Sequence, residues 1–174
     1  MPSSSAVALA YCEQGDLPQA SRVLEADAAT GFRDIPWDIV WPTTVCLFAE
    51  VATRLRARPA AAVLRTMLAP YTSQVVFNAI SVHGSVAHFS AGLAATLGDL
   101  PAADAEYAAA AEVHQRLGAG GMLARTRYDW GQALLAGDDA ERAGALLVQA
   151  RATAEELGMH GILQRAPASF PGAR

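Results

Sequence analysis

Lysine is absent from the 174 residues, and all 13 basic side chains are arginine. Without lysine no Gly-x-x-x-x-Gly-Lys-Ser/Thr loop can exist, so a phosphate-cradling P-loop is excluded. Charge of either sign is sparse. Only 17% of residues are charged, the formal net charge is −4 and the pI is near 5.5. The arginines are scattered except for Arg54, Arg56 and Arg58. That gives no basic footprint for direct nucleic-acid binding, and the cluster reads as solvated charge or as a complement to a helix dipole. Two cysteines, Cys12 and Cys46, make neither a disulfide framework nor a zinc site. Both lie in apolar runs and read as buried thiols. No basic leader with an apolar core and no run of transmembrane length occurs, so no membrane partner and a cytoplasmic location are expected.

Chemistry-bearing constellations are also scarce. His83 and His88 are five apart, not the i, i+4 spacing that places two ligands on one helix face. His114 and His160 stand alone and are expected to face solvent or cap helices. No metal and no cofactor are expected. Gly118-Ala119-Gly120-Gly121 follows no strand and reads as a flexible linker. Glu155-Glu156 and Asp138-Asp139 fall on polar faces or caps, where no cleft shifts a pKa for acid–base work. No nucleophile-elbow motif occurs. No catalytic residue is assigned, and the chain reads as non-enzymatic.

What the chain does contain is alanine-rich helix, written more than once. Hydrophobic residues make up 52% of it, and alanine, the best helix former, suits helices pressed close together. Gly15-Asp16-Leu17-Pro18-Gln19-Ala20 returns as Gly98-Asp99-Leu100-Pro101-Ala102-Ala103. In each, glycine can take the left-handed conformation that ends one helix, and aspartate can cap the next. Proline is tolerated in the first turn, where amides lack intrahelical partners. Helices are predicted over 5–14 and 17–29, the second burying Leu17, Ala20, Val23 and Leu24, and over 85–97 and 101–117, with Leu100, Ala103, Tyr107 and Ala110 on one side.

A weaker copy follows. Leu123 to Ala136 carries Leu123, Trp130 and Leu134 inward, Gly137 stops it, and Asp138 or Asp139 caps a helix with Ala143, Leu146, Leu147, Ala150, Ala154 and Leu157 on one stripe. Between the first two copies, Thr43 or Thr44 is expected to cap a helix to about Arg56, and Pro59–Ala69 to form its partner, stopped by Pro70. With a turn at Arg56-Ala57 the four turns fall at 15, 56, 98 and 137, spaced by 41, 42 and 39. Eight helices in four hairpins, all-α, are predicted over a single domain 1–160, with a flexible tail over 161–174. Gly31–Pro42 reads as a long connector. Ser73–Gly84, with Val75-Val76-Phe77, reads as an extended piece or a helix start.

The small-residue, glycine and aromatic spacing resembles the tetratricopeptide repeat (TPR): Ala8, Tyr11, Gly15, Ala20 and Leu24; then Ala91, Gly98, Ala103, Tyr107 and Ala110; then Gly137, Ala143, Leu147 and Ala150, with Trp130-Gly131 near the Trp/Leu-Gly portion. A period near forty departs from the usual 34. Phe89–Asp99, Leu123–Gly131 and Ala154–Met159 are similar to segments in the C-terminal helical region of actinobacterial LuxR-type and adenylate-cyclase-associated ATPase regulators. That resemblance implies a right-handed α-solenoid of about four TPR-like hairpins. It also implies a protein- or effector-binding module of a bacterial regulator, here without NTPase or DNA-binding parts.

In such repeats the first helix of each hairpin lines a concave groove. On that mapping Cys46, Glu50, Arg54, His88 and Arg127 face it, with Gly92, and Trp41 stands at its edge. The mixture suits a peptide or protein partner, or an amphipathic small-molecule effector. Trp130 reads as inter-repeat packing rather than a contact. Two other readings stay open: a small-molecule enzyme on this scaffold in a biosynthetic cluster, using an inward Glu50 or His88, and a self-assembling structural module, a homo-oligomer.

Overall fold

The computed structural model describes residues 3–78 and 80–165. Among these the chain forms α1 (Ser4–Gln14), α2 (Leu17–Ala28), α3 (Trp41–Arg54), α4 (Arg58–Leu68), a short 3-10 turn (Ala69–Tyr71), β1 (Val75–Phe77), β2 (Val82–Ser85), α5 (Val86–Leu97), α6 (Leu100–Arg116), α7 (Gly120–Ala136), α8 (Ala140–Glu156) and α9 (His160–Arg165). No described helix is long and apolar enough to cross a membrane. By their contacts the residues group into two compact units, Met1–Asp99 and Leu100–Arg174.

The turn chemistry is as expected at Gly15, which sits at φ 78°, and at Asp16, whose side chain accepts the Gln19 amide. Gly98 is likewise left-handed, at φ 85°. Two turns reach the same conformation without glycine: Arg56 lies at φ 51° and Asp138 at φ 64°. Gly137 itself stays at φ −101°, so Asp138 makes the reversal and Asp139 caps α8 through the Arg142 amide at 3.2 Å.

Several expectations need correction. Helix α3 begins at Trp41, not after Thr43 or Thr44. Pro42 occupies its first turn, where a missing amide costs nothing, and both threonines are buried in the helix. Leu17 and Leu157 are exposed rather than buried. Gly120 and Gly121 belong to the first turn of α7 rather than to a linker. Residues 161–165 of the expected tail are helical in α9, making nine α-helices among the described residues, and 166–174 lie outside them. The undecided stretch before α5 is a two-stranded antiparallel ribbon, an exception to the all-α expectation.

In the first unit α3 packs against α1, α4 and α5, with α2 on α1 and α4 on α5. This central place explains why α3 buries ten residues, from Trp41 to Ala52. Phe48, Leu64 and Leu93 are fully buried, each contributing roughly 1.5–3 kcal/mol. Arg58 Nη1 and Nη2 donate to the Thr96 and Leu97 carbonyls at 3.0 and 2.8 Å, satisfying last-turn acceptors of α5 and complementing its dipole.

In the second unit α7 packs against α6 and α8, and α8 against α9. The buried positions of α6 (Ala103, Tyr107, Ala110, His114) recur forty residues later in α8 (Ala143, Leu147, Ala150, Ala154). Leu117-Gly118 and Leu157-Gly158 repeat at the same interval, with both glycines left-handed. Small buried residues mark the first helices as well: Ala8, Ala49, Ala91 and Gly131, at intervals of 41, 42 and 40. At Gly131 a Cβ would meet Leu147 Cγ at 2.7 Å, so the α7–α8 approach requires glycine.

Candidate functional site

The connector from α2 to α3 is a loop held at every step. Gly31 (φ 63°) and Phe32 (φ 60°) reverse the chain after α2, and the Phe32 amide donates to Asp27 O at 3.0 Å. A phenylalanine tolerates this conformation because its ring is driven into the core, buried and 5.3 Å from the Phe48 ring. Arg33 Nε donates to Thr30 O at 2.8 Å. At the far end the Asp38 carboxylate accepts the Val40 amide at 2.9 Å, and its carbonyl accepts the Trp41 amide at 3.1 Å. Both ends of the loop are thereby anchored.

The loop presents Trp37. The residue is 72% exposed, and Ile39 two positions on is 67% exposed. Under it lies Trp41, buried, with ring centroids 4.2 Å apart and planes tilted by 47°. Tyr71 completes the group, 6.3 Å from Trp37 and edge-on to Trp41 at 5.6 Å. Three aromatic rings thus form a ledge with one indole outermost.

A second cluster joins three helices of the other unit. Asp104 of α6 accepts Trp130 Nε1 of α7 at 2.7 Å and Arg142 Nη2 of α8 at 2.7 Å, while its other oxygen accepts Arg142 Nη1 at 3.2 Å. Arg142 also reaches Asp139 at 3.3 Å and lies 5.7 Å from the Trp130 ring. The Arg142 hydrogen bonds hold the Asp104 carboxyl below its ordinary range; burial opposes this, and the Trp130 hydrogen bond adds to the lowering. A cleft of about 330 Å³ beside it is lined by Leu100, Asp104, Trp130, Leu134 and Asp139 among others.

The expected groove residues fall differently. Cys46 is fully buried, and burial pushes its thiol far above the usual range. Glu50 is buried in α3 and bonded to Arg54 at 2.7 Å, and Arg54 also reaches Glu13 of α1 at 2.6 Å. His88 is buried edge-on to Phe89 at 5.1 Å. Gly92 is a close approach, where a Cβ would meet Thr53 Oγ1 at 2.9 Å. Trp41 is the floor of the aromatic ledge rather than a groove edge. Arg127 is half-exposed on α7 and belongs to the second unit. Of the five side chains that lie in the first unit, four (Trp41, Cys46, Glu50, His88) are thus buried and Arg54 is half-buried.

Histidine reading also needs correction. His114 is buried, with Nδ1 3.1 Å from Thr126 Oγ1, whereas His160 is exposed. No group of three or more His, Cys, Asp or Glu residues is arranged to hold a metal among the described residues. Sequence reasoning missed Trp37, although the Pro36-Trp37-Asp38 string in a connector was visible. It is a bulky residue just where no helical face needs one. No protein-family model, curated protein or solved structure matches the chain.

Proposed function

We propose that this chain is a non-catalytic, TPR-like helical-repeat module of a bacterial regulatory protein that binds a protein or peptide partner. Docking runs through the aromatic ledge of Trp37, Trp41 and Tyr71. The observation that carries this reading is the exposed Trp37 indole on a loop anchored by Phe32 at one end and Asp38 at the other. Anchoring before contact lowers the ordering cost of association, and tryptophan is among the residue types enriched at binding hot spots. The recurrence of small buried residues every forty or so positions, Ala8, Ala49 and Ala91 within the first unit, supports the repeat assignment.

The test is site-specific photocrosslinking. A photoreactive residue replacing Trp37 is compared in a cell extract with one replacing Glu156, an exposed position at the end of α8. One protein captured at position 37 and not at 156 supports the ledge as the docking site. The same set captured at both positions removes it.

A further inference from the structure

In the cleft beside Asp104 a hydrocarbon wall meets uncompensated negative charge. Its volume of about 330 Å³ lies at the lower end of the range for small-molecule sites. Leu100 and Pro101 from the start of α6, and Ala133 and Leu134 from the end of α7, form the apolar wall. The two sides approach closely at Gly137, where an added Cβ would lie 3.1 Å from Leu100 Cδ1. Trp130 adds its indole, fixed by the Nε1 donation to Asp104 Oδ1 at 2.7 Å.

The charged residues of the lining are both acidic, Asp104 and Asp139. One arginine answers the two of them. Arg142 Nη2 reaches Asp104 Oδ1 at 2.7 Å, and Nη1 reaches Asp104 Oδ2 at 3.2 Å and Asp139 Oδ2 at 3.3 Å. Two carboxylates against one guanidinium leave a negative charge over. Asp138 and Glu141 flank the pair in sequence, and Arg142 is the one basic residue between Arg127 and Arg151. Hydrogen-bonding capacity is left over as well. A carboxylate accepts about four hydrogen bonds. Asp104 receives three, from Trp130 and twice from Arg142, and Asp139 receives two, from the Arg142 amide and Nη1. About three acceptor positions stay open across the pair, which is the number of N–H donors on an ammonium group.

These features select the occupant. An anion is repelled at the carboxylates, and a neutral molecule gains nothing from their charge. A strongly hydrated ion leaves the hydrocarbon wall uncovered. An ammonium carried on a compact apolar body satisfies both halves of the cleft, and an indole face attracts cations further. A cation beside this indole is already part of the structure, since the Arg142 guanidinium lies 5.7 Å from the ring centroid.

We propose that this cleft binds a small organic amine, its ammonium on Asp139 and Asp104 and its apolar body against Leu100, Ala133 and Leu134. Amine binding here is independent of docking at Trp37, which belongs to the first unit. Protein-observed NMR titration with phenethylamine and with cyclohexylmethylamine tests it, the matching alcohols and phenylacetate serving as neutral and anionic controls. The expected result is saturable binding of at least one amine with a dissociation constant below about 5 mM, read at the Trp130 indole N–H and the Ala133 and Gly137 amides. The matching alcohol should bind at least about fivefold more weakly. Asp139→Asn removes the charge and keeps the α8 cap, because asparagine caps a helix as well as aspartate does. Ala133→Leu fills the cleft with another good helix former. Binding is expected to weaken about threefold or more in the first variant and at least about tenfold in the second. An unchanged helical circular dichroism spectrum checks that each folds, and should one fail to fold the other carries the test. Dissociation constants above that level for both amines overturn the proposal. So do controls that bind as tightly as the amines, amine binding unchanged in either folded variant, or shifts confined to the Trp37 indole, which would place the amine on the ledge.

Discussion

A methyl group on Gly131 would lie 2.7 Å from Leu147 Cγ and 3.3 Å from the Ala143 carbonyl oxygen, whereas one on Gly144 meets nothing within 4 Å. Both glycines are buried within helices, so the same substitution separates two effects. Gly131→Ala is expected to destabilise by about 1–3 kcal/mol through overpacking. Gly144→Ala is expected to stabilise by about 0.5–1 kcal/mol through the entropy removed from the unfolded chain. Thermal unfolding of the two variants reads both signs. At this scale much was legible in the sequence: Gly15, Asp16, Gly98 and Asp139 act as their residue types dictate. Arg56 and Asp138 show the limit. Their left-handed backbone is imposed by the helices on either side, and nothing in an arginine announces it.

Helices α6, α7 and α8 are tied by one carboxylate. Asp104 holds Trp130 and Arg142 together, and its pKa is depressed first by Arg142. A carboxyl whose folded pKa lies below its unfolded value contributes stability that is present above the ordinary aspartate range and lost as pH falls through the depressed one. Asp104→Asn should therefore lower the melting temperature at neutral pH and flatten its decline on acidification, measured from pH 7 to pH 2 (about the span over which carboxylates titrate). An acid limb as steep in the variant as in the wild type would detach Asp104 from this role. Element positions were largely readable from helical periodicity, and the ribbon was not. Three and four residues are too few to carry a period, and Val75-Val76-Phe77 fits either a strand or a buried helix turn. The burial of Cys46 and His88 has a related cause. Cys46 and His88 each precede the small residues Ala49 and Ala91 by three positions, so both sit on the packed seam one turn from it. Read that way, the near-forty spacing points Cys46 and His88 into the core.

For the molecule as a whole, the interval of about forty residues was the strongest signal, and it reaches from Ala8 to α9. Periodicity reports which side chains are buried. It says little about which apolar side chains are held outside, because that depends on how a connector is anchored. The Gly31–Val40 loop is such a case: Phe32 and Asp38 fix its ends, and Trp37 is left in solvent between them. An exposed side chain of this kind is dispensable for folding, where surface substitutions usually change stability by within about 0.5 kcal/mol, and it is indispensable only if something binds it. Calorimetric titration of the protein crosslinked at position 37 against wild type and Trp37→Ala measures this directly. The expected result is an unchanged melting temperature with affinity weakened at least about tenfold, the loss of roughly 1.4 kcal/mol or more. Equal affinity in the two proteins would contradict docking through the ledge.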